Sequence, residues 1–102
     1  MMGNYRILIE EDAKFDIADA YDWYSKISLK ICASFLSEIK KTIAHLSKNP
    51  FIFQLVYKDF RQVPVKKFPF VILYKIDSEK VKIFRVFPTN MNPENKFKVF
   101  RK

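Results

Sequence analysis

The hydrophobic period of this chain changes once, at Asn49-Pro50, and the change restricts the fold more than any other feature. Before it, apolar residues recur at threes and fours: Ala13, Ile17, Ala20, Tyr21 and Tyr24 in one segment, then Cys32, Phe35, Leu36, Ile39, Ile43 and Leu46 in the next. That is the spacing of a helix with one buried face. After Pro50 the apolar residues alternate or run together over short stretches, as strands do. Two amphipathic helices followed by strands in one short chain predict an α+β layer, with the helical pair lying against a sheet.

The boundaries follow from local chemistry. Tyr5, Ile7 and Ile9 alternate with Arg6, Leu8 and Glu10, which predicts a short first strand. Asp12 is the expected N-cap of the first helix, and Asp16, Asp19 and Asp22 are expected together on its solvent side. Ser28 is the expected cap of the second helix, which ends near Lys48 because the residue before a proline is pushed out of the α region. So short a link makes the two helices an antiparallel hairpin. Phe60 to Lys67 reads as a strand with Pro64 at an edge or bulge, since proline has no ladder donor. Phe68 to Ile76 is apolar on both faces and reads as the central strand. A polar turn at Asp77 to Lys80 leads to a last strand, Val81 to Phe87, stopped by Pro88. The expected order is β-α-α-β-β-β, a helical hairpin on a curved antiparallel sheet of about four strands. A single domain over residues 1–102 is expected, with the tail 89–102 left unassigned.

Charge is divided unevenly. Of 19 Lys plus Arg and 11 Asp plus Glu, net +8, residues 1–24 hold six acids and two bases, net −4, and the remainder is +12. A basic surface attracts polyanions and acidic proteins at long range without saying which. Lysines interrupt every apolar segment after Lys26, so no spanning helix and no membrane partner is expected. Nor do residues 1–10 read as an export signal. Cys32 has no second thiol with which to pair, which suits the cytoplasm. It falls on the apolar stripe as a small buried hydrophobe rather than a nucleophile. His45 is the single histidine and lacks companions for a metal site or a triad, so neither metal nor cofactor is expected. One glycine excludes a glycine-rich phosphate loop.

Taken together, Asp16-Ile-Ala-Asp-Ala-Tyr-Asp-Trp-Tyr24, Phe35-Leu-x-Glu38, Asn49-Pro50, Arg61, Lys67-Phe-Pro-Phe70 and Tyr74 resemble the RelE/ParE toxins of type II toxin–antitoxin systems, over about nine-tenths of the chain. Each word is weak alone, and their order and spacing carry the resemblance. It implies a growth-inhibiting toxin of the plasmid-stabilisation kind, neutralised by a cognate acidic antitoxin. Two activities are implied: blocking DNA gyrase in the ParE manner, or cleaving messenger RNA on the ribosome in the RelE manner. Many relatives carry a sequence similar to His-Thr-x-Arg-Asn-Pro near the end, where this chain has Pro88-Thr-Asn-Met91-Asn-Pro93. Neither Pro88 nor Met91 carries charge or moves a proton, and Phe97 and Phe100 stand where an RNase-type relative presents a tyrosine. Cleavage beside a 2′-hydroxyl needs a base, an acid and cations for the phosphate. The departure therefore favours a toxin that blocks its target without catalysis. An mRNA endoribonuclease, or a toxin fold that serves only to bind antitoxin, remains the alternative.

The residues expected to meet the target or a nucleic acid are Arg61, Lys66, Lys67 and Arg85, with Tyr57 and Tyr74 as hydroxyl sources if phosphate chemistry occurs. For Arg61 a tie to a helix carboxylate such as Glu38 is an equal reading, and Lys80 and Lys82 read as solvated charge beside a turn. Trp23, Phe97 and Phe100 are the expected antitoxin contacts, because large apolar side chains among charges mark an interaction surface.

Overall fold

The computed structural model describes residues 4–89. The element order is β1 (Arg6–Ile9), α1 (Glu11–Ser25), α2 (Leu29–Lys48), β2 (Gln54–Tyr57), β3 (Phe60–Pro64), β4 (Phe70–Asp77) and β5 (Lys80–Pro88). The strands form one five-stranded sheet in the order β1-β5-β4-β3-β2. The α+β class and the hairpin on a sheet are as the sequence leads one to expect, with two differences. Gln54–Tyr57 adds a short, bulged edge strand. The sheet is also mixed: β1 pairs parallel to β5, Ile7 opposite Val81 and Ile9 opposite Ile83. A parallel neighbour requires a crossover, and here the helical hairpin and three strands lie between the two partners in sequence.

β1 runs straight into α1. The Glu10 N–H donates to Ile83 O at 2.9 Å, and Glu10 O accepts from Lys14 N, so the ladder hands over to the helix at Glu10. Glu10, not Asp12, is therefore the N-cap, without a side-chain hydrogen bond, and Glu11 and Asp12 supply negative charge within the first turn. Ser28 caps α2 as expected, its Oγ accepting from Ile31 N at 3.2 Å, and Asn49 follows the last helical residue.

The main core lies between the sheet and the helices. Phe35 and Leu46 from α2, Ala13 from α1, and Ile72, Tyr74, Val81 and Ile83 from the sheet are all fully buried there. Tyr24 packs among Phe35, Phe68 and Phe70 with ring centroids 5.2 to 6.4 Å apart. Alternate residues of β4, Val71 and Leu73, belong with Phe60 and Phe87 to a second cluster. β4 is thus the strand buried on both faces. In β5 the register shifts, since Leu73 faces Arg85 while Tyr74 faces Ile83, which leaves Phe84 as the extra residue of a bulge.

Candidate functional site

The groove between α2 and β3 collects more of the expected chemistry than any other part of the described fold. It encloses about 430 Å³ and is walled by Ile52, Phe53, Val63 and Pro64, with Lys41, Thr42, His45 and Lys66 around it. Glu38 lies against it. This is the buried charged residue among the described ones, at 5% exposure, and it sits on α2 between core residues Phe35 and Ile39. Two ammonium groups meet its Oε2: Lys67 Nζ at 3.6 Å and Lys41 Nζ at 3.9 Å. A carboxylate withdrawn from water this far is tolerated because cations converge on it. The turn after β3 brings Lys67 there. Lys67 takes a left-handed backbone, φ 69°, which is unusual for a residue with a Cβ.

The four expected target-surface residues do not converge on one face. Lys66 and Lys67 are exposed neighbours at the groove. Arg61, in β3, instead donates from Nη1 to Phe53 O at 2.7 Å and Phe51 O at 3.1 Å, pinning the connection between α2 and β2. Its partners are carbonyls, not Glu38, which corrects the alternative reading of that residue. Arg85 is held by α1. Its Nε and Nη2 donate to the two Asp16 oxygens at 2.7 and 2.9 Å, and Asp16 Oδ2 also accepts from Val86 N at 2.8 Å. Beyond Ile83, where β1 has ended, Asp16 thus supplies the acceptor for the exposed side of β5. The hydrogen bond to Asp16 raises the Arg85 pKa above the usual guanidinium value. Asp16 is accordingly no part of a solvated acidic row with Asp19 and Asp22, and that expectation is corrected too.

Tyr74 is likewise unavailable as a hydroxyl source. It is fully buried, and its OH donates to Pro50 O at 2.6 Å. Burial pushes its pKa up to about 12. Tyr57 is half-buried in the second cluster. Lys82 pairs with Asp77 at 3.2 Å beside the turn, and Lys80 is exposed. Cys32 is buried, its thiol donating to Tyr21 O at 3.4 Å. His45 lies on the exposed side of α2, its ring 5.6 Å from that of Phe53. Trp23 is 60% exposed, touching Tyr24 with one edge. Phe97 and Phe100, the other expected antitoxin contacts, and Met91 lie outside the described residues.

Sequence reasoning did not single out Asp16 or the groove walls. Asp16 was legible only as one acid in a run, and the end of β1, which gives it its task, is a boundary that periodicity locates poorly. No His, Cys, Asp and Glu cluster suited to a metal occurs among the described residues, and no described helix is long and apolar enough to cross a membrane.

The family model described as ParE toxin of type II toxin-antitoxin system, parDE, matches residues 7–93. This chain belongs to the ParE toxin family. A solved structure entitled "Chromosomal ParDE TA system from P. aeruginosa" has a similar fold, with a TM-score of 0.76 at 16% identity over 84% of this chain and 97% of that one. At that identity the likeness speaks for the fold alone. No curated protein matches the sequence. Membership in the ParE family accounts for the α+β hairpin-on-sheet architecture and corresponds to the resemblance read from the motifs between Asp16 and Tyr74.

Proposed function

We propose that this ParE-family chain inhibits growth by binding a macromolecular target such as DNA gyrase, without catalysis, and is neutralised by an acidic antitoxin. The observation that carries this reading is the commitment of both strand arginines. Arg61 is tied to two backbone carbonyls and Arg85 to Asp16, so neither is poised to neutralise a phosphate in flight. Tyr74, buried and donating to Pro50 O, has no reach to a leaving oxygen. What remains at the surface is suited to recognition: Lys66 and Lys67 beside an apolar groove, and exposed Trp23 on the hairpin.

An acidic, apolar segment that is unstructured when free matches such a surface, and net +8 on this chain speeds its approach. In this reading the antitoxin lays an amphipathic helix against the hairpin at Trp23 and an extended stretch along the Lys66–Lys67 side. Induction of the chain alone is expected to arrest growth. Co-expression with the small acidic protein encoded beside it is expected to restore growth and give one co-eluting complex. Lys66→Glu with Lys67→Glu is expected to relieve the arrest while circular dichroism stays unchanged. Continued growth on induction of the folded wild type, or undiminished arrest by the double variant, contradicts this assignment.

A further inference from the structure

The outward faces of the two helices carry opposite charge. On α1 the exposed ionisable residues include Glu11, Asp12, Asp19 and Asp22, against one lysine, Lys14. On α2 every exposed Lys, Arg, Asp or Glu is a lysine, namely Lys30, Lys40, Lys41 and Lys48, because its one acid, Glu38, is buried. Large apolar side chains stand open on the acidic helix, Phe15 at 64% exposure and Trp23 at 60%. Level with Phe15 to within a residue, α2 exposes the small residue Ser37.

We infer that this helical layer is a self-complementary surface that pairs with a second copy of the chain. The register of the hairpin supports the match. The Cys32 thiol meets Tyr21 O, which sets residues 21 and 32 at one height. Since both helices rise equally per residue in opposite directions, Asp22 stands level with Lys30 to within a residue, Phe15 level with Ser37, and Asp12 level with Lys41. A two-fold axis parallel to the helices, between two stacked helical layers, lays α1 of each copy over α2 of the other at unchanged height. Asp22 then meets Lys30 of the second copy, Asp12 meets its Lys40, and Phe15 enters the space left by its Ser37. The same contacts recur by symmetry, as a closed pair requires.

The pairs now made within each copy do not oppose this. Lys14–Glu11 and Lys26–Asp22 are separated by 3.6 and 3.8 Å, and all four side chains are more than half exposed, so they exchange partners at little cost. Two helix widths by the length of α1 bury on the order of 1,000 Å² in total, the lower bound for a specific interface, so the dimer is weak and sensitive to salt. The antitoxin reading places its helix on the same hairpin at Trp23, so the two occupants exclude one another, and sedimentation of the chain without antitoxin scores the pairing apart from growth and co-elution.

Sedimentation velocity on the purified full chain tests the pairing. At low salt and ~100 μM protein the wild type is expected to sediment as a dimer and to dissociate as salt rises. Asp12→Lys with Asp22→Lys is expected to be monomeric, as is Lys30→Glu with Lys40→Glu. An equimolar mixture of the two is expected to recover the dimer, because each reversed face then meets its complement. All four sites are exposed, and circular dichroism verifies that both variants are folded. A monomeric wild type at low salt, a dimer that survives both reversals, or a mixture that stays monomeric overturns the inference.

Discussion

Tyr74 reaches across the core from the central strand to the carbonyl of Pro50, joining the sheet to the point where the helical half of the chain ends. Removing the hydroxyl leaves that carbonyl without its partner, so Tyr74→Phe is expected to lower stability by about 1–3 kcal/mol in urea unfolding. The pH dependence follows from its raised pKa. The unfolded tyrosine ionises near 10.0 and the folded one only near 12, so its contribution is complete below pH 10 and is lost as pH rises towards 12. Alkaline titration of stability is expected to show this decline in the wild type and a smaller one in Tyr74→Phe. The Asp16–Arg85 pair behaves differently. With the Arg85 pKa raised by its hydrogen bond to Asp16, no ordinary pH discharges the guanidinium, and mutation is the way to test it. Arg85→Ala leaves Asp16 with Val86 N–H alone and is expected to cost about 2–3 kcal/mol, less than a fully buried pair because both side chains keep 15–19% of their exposure. The sequence showed a cation and an acid 69 positions apart, and nothing in the local pattern joined them.

At the scale of elements, the turn between β4 and β5 is a sharp test of local geometry. Asp77 faces Lys80 across a two-residue connection, and Ser78, at its first position, has φ 61°. A positive φ there is the property of the tight hairpin turns that favour glycine. Ser78→Gly is therefore expected to stabilise the fold by up to about 1 kcal/mol, read as a rise in Tm, because the Cβ clash is removed. A fall in Tm would show that the Ser78 side chain contributes more than its backbone costs. The helices, β4 and β5 were legible because their periodic stripes are long: Phe35, Ile39 and Leu46 are buried as the spacing of threes and fours demands. β2 was not, since Gln54–Tyr57 is a bulged edge of four residues with little alternation. The parallel pairing of β1 was not either, because direction of pairing is a property of the crossover and leaves no mark within Arg6–Ile9.

For the whole molecule, the asymmetry of charge along the chain becomes an asymmetry in space. The acidic start of the sequence forms the outer side of α1, and the basic remainder forms α2 and the turn at Lys66–Lys67. The family and its fold were readable from motif order, whereas the candidate site was readable only in part. Lys66 and Lys67 sit at a groove, but Arg61 and Arg85 serve the framework through partners that the fold alone brings near. That division underlies the reading of this ParE-family chain as a protein that binds rather than cleaves. The most direct test is the supercoiling of relaxed plasmid by DNA gyrase titrated with the purified chain. Dose-dependent loss of supercoiling, reversed by the acidic antitoxin and weakened at least severalfold by Lys66→Glu with Lys67→Glu, is the predicted result. Undiminished supercoiling, with cleavage of message on stalled ribosomes by the same preparation, would contradict it.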